Sequence, residues 1–216
     1  VQQVIPTAVT PEIRRLNLSA YAPLRYVLPH KQSVYDEKYS TKIRGGEGFF
    51  RQVDREESLV HLLRINILKR MESSVTSFAL TLNRQLTDVD GLIAKLEAHQ
   101  DTVEEISIED IEEDDPTFES LLIGRKVKVL LQDVDRVRWK QDLTEDRNRL
   151  ATLLSAANQV GPDRDAKLAA LRKIIEDKIR NPINPGNRKV IVFTAFADTA
   201  QYLYRELSPW ANQAFG

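Results

Sequence analysis

The chain has 216 residues, of which 42% are hydrophobic and 29% are charged, and its formal net charge is −1. This is the composition of a globular protein with enough apolar mass for one or two domains, and it provides no global basic field that would announce nucleic-acid binding. Because cysteine is absent, disulfides, thiolate metal sites and a cysteine nucleophile are excluded. The three histidines, His30, His61 and His99, stand in separate segments without metal-ligand spacing.

The sequence offers no sign of a membrane protein. No apolar run reaches the ~18 residues of a membrane span, and the first residues do not read as a signal peptide. We therefore expect a cytoplasmic protein that contacts no membrane. Val1 stands in place of a methionine, so we expect the chain to be part of a longer one.

Residues 1–53 read as an N-terminal connecting segment with two short helices. Thr10 and Pro11 suit the N-cap and first turn of a helix that runs to about Leu18. Residues 24–29 predict a short extended stretch, and a second helix is expected over residues 32–43. The glycine-rich residues 44–48 predict a break in the chain.

The strongest helical signal begins at Asp54. This residue is an N-cap candidate, and Glu57 follows three residues later as in a capping box. Apolar residues then recur every three or four positions beyond the length of one ordinary helix, and Gly91 is a candidate kink. The members of this stripe as far as Leu82 are Leu59, Leu62, Leu63, Ile67, Met71, Val75, Phe78 and Leu82.

The helical pattern extends over residues 54–180 and is interrupted once by a strongly acidic stretch. Residues 101–119 hold ten acidic side chains and predict a solvated loop. Helical spacing resumes over residues 121–160 and, after a Gly-Pro break, over residues 163–179, where Leu168, Ile174 and other apolar residues are expected to be buried. The Asn- and Pro-rich residues 181–187 then read as a linker.

The pattern changes after the linker. Residues 189–194 form a run rich in β-branched side chains without alternation, which predicts a strand covered on both faces. Asp198 is a candidate cap of a following helix. The predicted fold class is therefore mainly α, a bundle of long helices with a short, truncated α/β segment at residues 188–216.

Two segments resemble one family. Residues 62–75 (LLRINILKRMESSV) and residues 163–207, with the run KVIVFTAF and the later Tyr202-Leu203, resemble the Swi/Snf-type branch of superfamily 2 helicases, in particular its bacterial members. The resemblance implies that residues 54–180 are the helical protrusion between two RecA-like motor domains. It also implies that residues 188–216 open the second of these domains with motif IV.

The same resemblance implies a DNA translocase that uses ATP and magnesium in the full-length protein. Nucleotide chemistry of this kind needs a phosphate loop that ends in Gly-Lys-Ser/Thr, a DEAH-like carboxylate pair and an arginine finger. The chain contains none of these motifs. We therefore expect no catalytic residue, cofactor site or metal site within it, and we expect its partners to be the other domains of the longer protein and DNA.

Six residues are candidates for contact with nucleic acid or with a neighbouring domain. On the central helix these are Arg64, Lys69 and Arg70, for which a solvated helix face is an equally good interpretation. The other three lie in and just after the run that resembles motif IV: Lys189, Thr194 and Phe196. Thr194 and Phe196 lie where the C-terminal end of the predicted strand meets a loop, which is the usual functional edge of an open α/β sheet.

Further basic clusters and one aromatic residue have weaker claims. The cations of residues 125–128 and 136–140 offer phosphate partners, but balancing the acidic stretch before them is the better interpretation. Trp139 is a candidate stacking platform, with a half-buried helix aromatic as the better interpretation. Two functions thus remain open: an inter-lobe region of a DNA translocase, or a stand-alone helical module for protein interaction without nucleotide chemistry.

Overall fold

The computed structural model describes residues 9–39, 41–42, 49–98, 105–107 and 127–215. Within these residues the helices are α1 (Val9–Arg14), α2 (Gln32–Tyr39), α3 (Gln52–Ser73), α4 (Val75–Ala98), α5 (Arg136–Asn158), α6 (Ala166–Arg180) and α7 (Ala197–Phe215). Short strands pair antiparallel as β1 (Thr41–Lys42) with β2 (Phe49–Phe50), and as β3 (Glu105–Ser107) with β4 (Lys128–Leu130). Single 3-10 turns occupy Ser19–Tyr21, Pro23–Tyr26, Pro29–Lys31, Leu131–Asp133 and Pro162–Arg164.

Long helices build the core, as the apolar periodicity predicts. Helix α4 packs against α3 and, most extensively, against α5. The apolar stripe of each helix is buried at these contacts because side chains three and four residues apart share one face. The fold class of a mainly α, long-helix bundle is therefore confirmed. Fully or almost fully buried members of this core include Leu63, Ile67, Phe78, Leu82, Val89, Leu143, Leu150 and Leu153.

One residue separates α3 from α4. Ser74 adopts an extended conformation (φ −154°, ψ 151°), and its Oγ accepts a hydrogen bond from the Ser77 backbone N–H at 3.0 Å. This is an N-cap, which supplies an acceptor to an otherwise unpaired helical N–H. The sequence stripe predicts no break here, because one extended residue hardly disturbs apolar spacing. Gly91, the candidate kink, lies inside α4 and does not interrupt it.

Residues 9–39 belong to the same core rather than forming a loose connection. The carboxylate of Asp146 on α5 is fully buried and accepts three hydrogen bonds from this segment: from Asn17 N at 2.6 Å, Ser19 N at 2.8 Å and Ser19 Oγ at 2.6 Å. Trp139, also fully buried, donates its indole N–H to the Ser19 carbonyl at 3.0 Å. The segment therefore binds α5 through polar groups that would be costly to leave unpaired.

Three tyrosines of this segment repeat the arrangement at its other contacts. Each donates its hydroxyl to an aspartate far along the chain: Tyr21 to Asp88 at 2.8 Å, Tyr26 to Asp142 at 2.8 Å, and Tyr35 to Asp133 at 3.0 Å. Aromatic rings fill the core while their hydroxyls reach a partner at its edge, which is the usual solution for a buried tyrosine.

Several predicted boundaries are wrong. Helix α3 begins at Gln52, two residues before Asp54, and its N-cap Arg51 makes no side-chain capping bond. Residues 24–29 were expected to be extended, but Pro23–Tyr26 form a 3-10 turn because Pro23 suits the first position of a helical turn. Residues 105–107 pair as β3, whereas most of the acidic stretch and the glycine-rich residues 43–48 lie outside the described residues.

The C-terminal region departs most from expectation. Residues 189–194 have no regular secondary structure and pair with no strand among the described residues; residues 189–193 are exposed and Thr194 is half-buried. A strand needs a neighbouring strand to supply its hydrogen bonds. Ile174 was expected to be buried, yet 62% of it is exposed. Helix α7 starts at Ala197, so Asp198 lies in its first turn and does not precede it.

We expect the substitution Asp146→Ala to destabilise the fold strongly. It would leave three donors of residues 17–19 without their acceptor, and the two on Ser19 are buried, at about 1–3 kcal/mol for each buried unsatisfied group. Urea unfolding followed by circular dichroism measures the loss. The matched control is Glu145→Ala, because Glu145 is the exposed neighbour on the same helix. Equal midpoints for the two variants would contradict the assigned role of Asp146.

A second carboxyl group makes stability depend on pH. Glu56 is 4% exposed; its Oε2 accepts from Leu24 N at 3.0 Å, and its Oε1 has no partner in the described part of the chain. Burial raises the pKa of Glu56 well above its usual value of 4.5, against the opposing effects of the Leu24 N–H and the Arg25 charge. The folded state thus keeps a proton that the unfolded chain releases.

The sign of the pH effect follows from this raised pKa. Its contribution to the free energy of unfolding is complete below about 4.5, and it declines as pH rises towards the higher folded pKa, by at most about 1.4 kcal/mol per pH unit. We expect Glu56→Gln, which stays neutral, to gain stability relative to the parent chain as pH rises above about 4.5. Unfolding curves at a series of pH values measure the difference. The exposed Glu37→Gln serves as control, and a parallel gain in that variant would refute the interpretation.

Candidate functional site

A buried arginine links the central helices to the segment after the linker. Arg70, near the end of α3, is 2% exposed. Its NH1 forms an ion pair with Asp198 Oδ2 at 3.0 Å, and its Cζ lies 4.7 Å from the centre of the Phe196 ring. A desolvated guanidinium is stable only when its donors and charge are compensated, so these two contacts fix residues 196–198 against α3.

Neighbours on α3 and α4 complete the surroundings of Arg70. Its Nε donates to Asn66 Oδ1 at 3.0 Å, one turn earlier on α3. Its NH1 also approaches Ser77 Oγ at 3.4 Å, on the first turn of α4. The side chain therefore contacts the end of one long helix, the start of the next and the start of α7.

Three hydroxyl groups lie beside this arginine. Thr199 Oγ1 is 2.9 Å from Ser73 Oγ and 3.2 Å from Ser74 Oγ, and both Ser74 and Thr199 are buried. These contacts join the residue between α3 and α4 to the first turn of α7. We call Arg70, Ser73, Ser74, Phe196, Asp198 and Thr199 together the joint.

The start of α6 makes further contacts with α7 and with the end of α3, next to the joint. Asp165 caps α6 through Oδ1, which accepts from Lys167 N at 2.9 Å and Leu168 N at 3.0 Å. Its Oδ2 accepts the hydroxyl of Tyr202 on α7 at 2.9 Å. Burial, followed by the bond to Asp165, raises the pKa of Tyr202, so its hydroxyl remains a donor at neutral pH. Lys167 Nζ donates to the Glu72 carbonyl at the end of α3.

The structure brings together two of the six residues predicted as a site. Arg70 and Phe196, 126 positions apart in the numbering, meet face to face in the joint. Thr194 is close by, and its Oγ1 accepts the Phe196 N–H at 3.3 Å. Lys69 and Lys189 are exposed.

Arg64 has a different environment. Its Nε and NH2 donate to the Leu16 carbonyl at 2.9 Å and 2.6 Å, so its guanidinium binds the N-terminal segment. These two N–H groups are then not available to a phosphate.

Sequence reasoning missed most of the polar partners in the joint. Asp198 was expected to cap a helix, and Ser73, Ser74 and Thr199 were given no individual role. Each is a common surface residue type, and only the tertiary contact between distant segments gives it a role. One signal in residues 62–75 could have pointed to these residues: Arg70 and the two serines, Ser73 and Ser74, interrupt the apolar stripe of the predicted helix.

The weaker candidates are accounted for within the fold. Trp139 is stacked on Tyr26 with ring centres 5.5 Å apart and is fully buried, so its ring is closed to a base. Lys140 pairs with Glu97 at 2.8 Å. These findings favour the structural interpretation of the 136–140 cluster, while residues 125–126 lie outside the described residues.

Two searches of the described residues gave negative results. They contain no group of three or more His, Cys, Asp or Glu side chains arranged to hold a metal ion. Among the helices that the structure describes, none is both long and apolar enough to cross a bilayer.

We expect Asp198→Ala to loosen the joint. Removal of the carboxylate takes an ion-pair partner from the buried Arg70 guanidinium, at a cost of about 2–4 kcal/mol, below the range for full burial because 15% of the Asp198 side chain is exposed. Urea unfolding gives the energy, and amide hydrogen exchange over residues 197–203 locates the opening. Arg205→Ala is the matched control, since that exposed side chain lies on the same helix. Equal exchange rates in both variants would argue against the joint.

Comparisons with protein-family models, with curated proteins and with solved structures found no match for this chain.

Proposed function

We propose that this chain is the inter-lobe region of a Swi/Snf-like, ATP-dependent DNA translocase, and that the joint couples its helical region to the domain that follows the linker. One observation carries the proposal. The two segments that resemble this family, residues 62–75 and 163–207, contact each other directly through Arg70 and Asp198. The resemblance rests on sequence alone, so the contact between its two parts supports it independently.

The contacts of the joint suit a coupling element. If residues 196–199 move away from α3, they break an ion pair, a cation–π contact and two hydroxyl contacts, and a buried charge remains behind. The joint therefore resists separation, and displacement of the following domain is passed to α3 and α4. These helices have 22 and 24 residues, which corresponds to roughly 35 Å each at a rise of about 1.5 Å per residue.

Of the four basic residues proposed to contact DNA, two remain as candidates, Lys69 and Lys189. Arg64 and Arg70 use their donors within the fold, whereas Lys69 and Lys189 expose theirs. An exposed ammonium group attracts phosphate by a non-specific, salt-sensitive interaction. We therefore assign any backbone contact of this region to these two lysines. ATP and magnesium would be bound by the motor domains of the longer protein.

One observation favours a second candidate, a helical module that binds another protein. Residues 190–193 expose large apolar side chains, with Phe193 90% and Ile191 77% exposed. Exposed apolar surface of this kind marks a contact site. Under the first proposal, the rest of the α/β domain covers these residues. Under the second, a separate protein does.

The extended reading frame separates the two candidates. The translocase requires a Gly-Lys-Ser/Thr loop and a DEAH-like motif upstream of residue 1, and an arginine-rich motif downstream of residue 216. A stop codon directly after Gly216 would eliminate the translocase and leave the interaction module.

Coupling itself is tested in the longer protein. We expect Asp198→Ala to reduce the distance translocated per ATP hydrolysed while DNA-stimulated hydrolysis persists, because a loosened joint no longer passes the movement to α3 and α4. Translocation and ATPase assays on the same preparation measure the ratio. Arg205→Ala should leave it unchanged, and an unchanged ratio in Asp198→Ala would contradict coupling through the joint.

The DNA contact gives a salt-dependent prediction. We expect weak duplex binding whose logarithmic affinity falls with the logarithm of salt concentration, with a slope near −1.8 for two phosphate contacts and about −0.9 after either Lys69→Ala or Lys189→Ala. Fluorescence anisotropy at several salt concentrations measures the slopes. Lys173→Ala, which removes another exposed lysine, is the control. Slopes that do not differ among the four proteins would exclude these contacts.

A further inference from the structure

A pocket of about 300 Å³ opens beside the joint. Its polar lining includes the side chains of Ser73, Ser74 and Thr199 together with Lys167. Its apolar lining includes Leu171 on α6 and Leu203 on α7. A binding pocket for a small molecule commonly combines an apolar lining with a few converging polar groups.

The polar groups that line the pocket have more hydrogen-bond donors than their contacts with one another use. Three hydroxyl groups carry three hydrogens but form only two hydroxyl–hydroxyl contacts, so at least one hydrogen has no acceptor among them. Ser74 Oγ already accepts the Ser77 N–H, which further occupies its acceptor side. The shortfall is therefore of acceptors, and two of the three groups, Ser74 and Thr199, are buried.

Lys167 adds to this excess. Lys167 is an exposed residue at the rim of the pocket. Its ammonium has three hydrogens and donates one of them to the Glu72 carbonyl, which leaves two for a ligand. The only carboxylate lining the pocket within the described residues is that of Asp165, and both of its oxygens are engaged by α6 and Tyr202. The starts of α4 and α6 have side-chain caps of their own, Ser74 and Asp165.

These groups define the chemistry of a missing acceptor. One ammonium and one or more hydroxyl donors suit a single negative charge, whereas a phosphate dianion is usually met by several cations or an arginine fork. The apolar lining, which includes Leu171 and Leu203, suits a short hydrocarbon stem. We propose that the pocket binds a carboxylate with a short apolar stem, whose oxygens accept hydrogen bonds from Thr199 or its serine neighbours and from Lys167.

Such a ligand would contact both sides of the joint. Ser73 and Ser74 belong to the boundary of α3 and α4, Thr199 to α7, and Lys167 to α6. A bound carboxylate would therefore stabilise the closed arrangement of all four helices by its binding free energy. This inference goes beyond the proposed function and holds for either candidate, because it depends only on the donors and shape of the pocket.

The test is a titration of the chain with hexanoate, followed by amide chemical shifts in 15N-correlated NMR spectra. Hexan-1-ol is the neutral probe of the same stem, and inorganic phosphate probes a charge without a stem. A peptide with one glutamate and blocked ends distinguishes a protein side chain from a free organic acid as the natural source. We expect saturable shifts at Ser73, Ser74 and Thr199 with hexanoate or with the peptide. Tighter binding of hexanoate would identify a free organic acid as the natural ligand, and tighter binding of the peptide would identify a protein side chain.

Matched variants assign the donors. Lys167→Met should weaken the binding of hexanoate about tenfold or more, the usual loss for one charge-assisted hydrogen bond. Thr199→Val should weaken it without removing the charge, and Lys173→Met, on the same helix but outside the pocket, should leave it unchanged. No saturable shift with either carboxylate, equal binding of hexan-1-ol or phosphate, or equal losses in the two lysine variants would overturn the proposal.

Discussion

The uncompensated charge that Arg70 would carry on its own is the constraint from which the arrangement of the C-terminal half follows. A guanidinium that is 2% exposed needs partners for its donors and its charge, and on α3 the Asn66 amide accepts one of its hydrogen bonds. Asp198 and the face of Phe196, both beyond the linker, add an ion pair and a cation–π contact. Folding of α3 therefore selects one position for the start of α7, and the hydroxyl contacts of Thr199 then follow.

The N-terminal half uses the opposite distribution of charge. There the buried charged group is a carboxylate on a long helix, Asp146, and the donors are backbone N–H groups and a hydroxyl of an irregular segment. An irregular backbone has no helical partners for its N–H groups, so it depends on acceptors from elsewhere. Each half thus attaches a less regular segment to a long helix, the N-terminal one through an acid on α5 and the C-terminal one through a base on α3.

The helices could be predicted from the sequence because apolar residues spaced by three and four are a local property. Long-range contacts could not, and this explains most of the errors. Asp198 and Thr199 resemble ordinary first-turn residues until Arg70 and the serines lie beside them. Residues 189–194 show the limit from the other direction: their composition is that of a strand, but pairing depends on a neighbour and not on composition. The resemblance to helicases and the sites drawn from it remain predictions.

The single extended residue between the two longest helices has a consequence for how this chain can vary in length. Each residue advances an α-helix by about 100°, so one insertion or deletion near Ser74 would rotate the whole apolar stripe of α4 away from α5. It would also change the fixed spacing that lets Arg70 reach Ser77. Residues 181–187 form no helix or strand, so a change in their number would not rotate a helix face. Related chains should therefore differ in length at the linker and keep an invariant count of residues from Arg70 to Ser77.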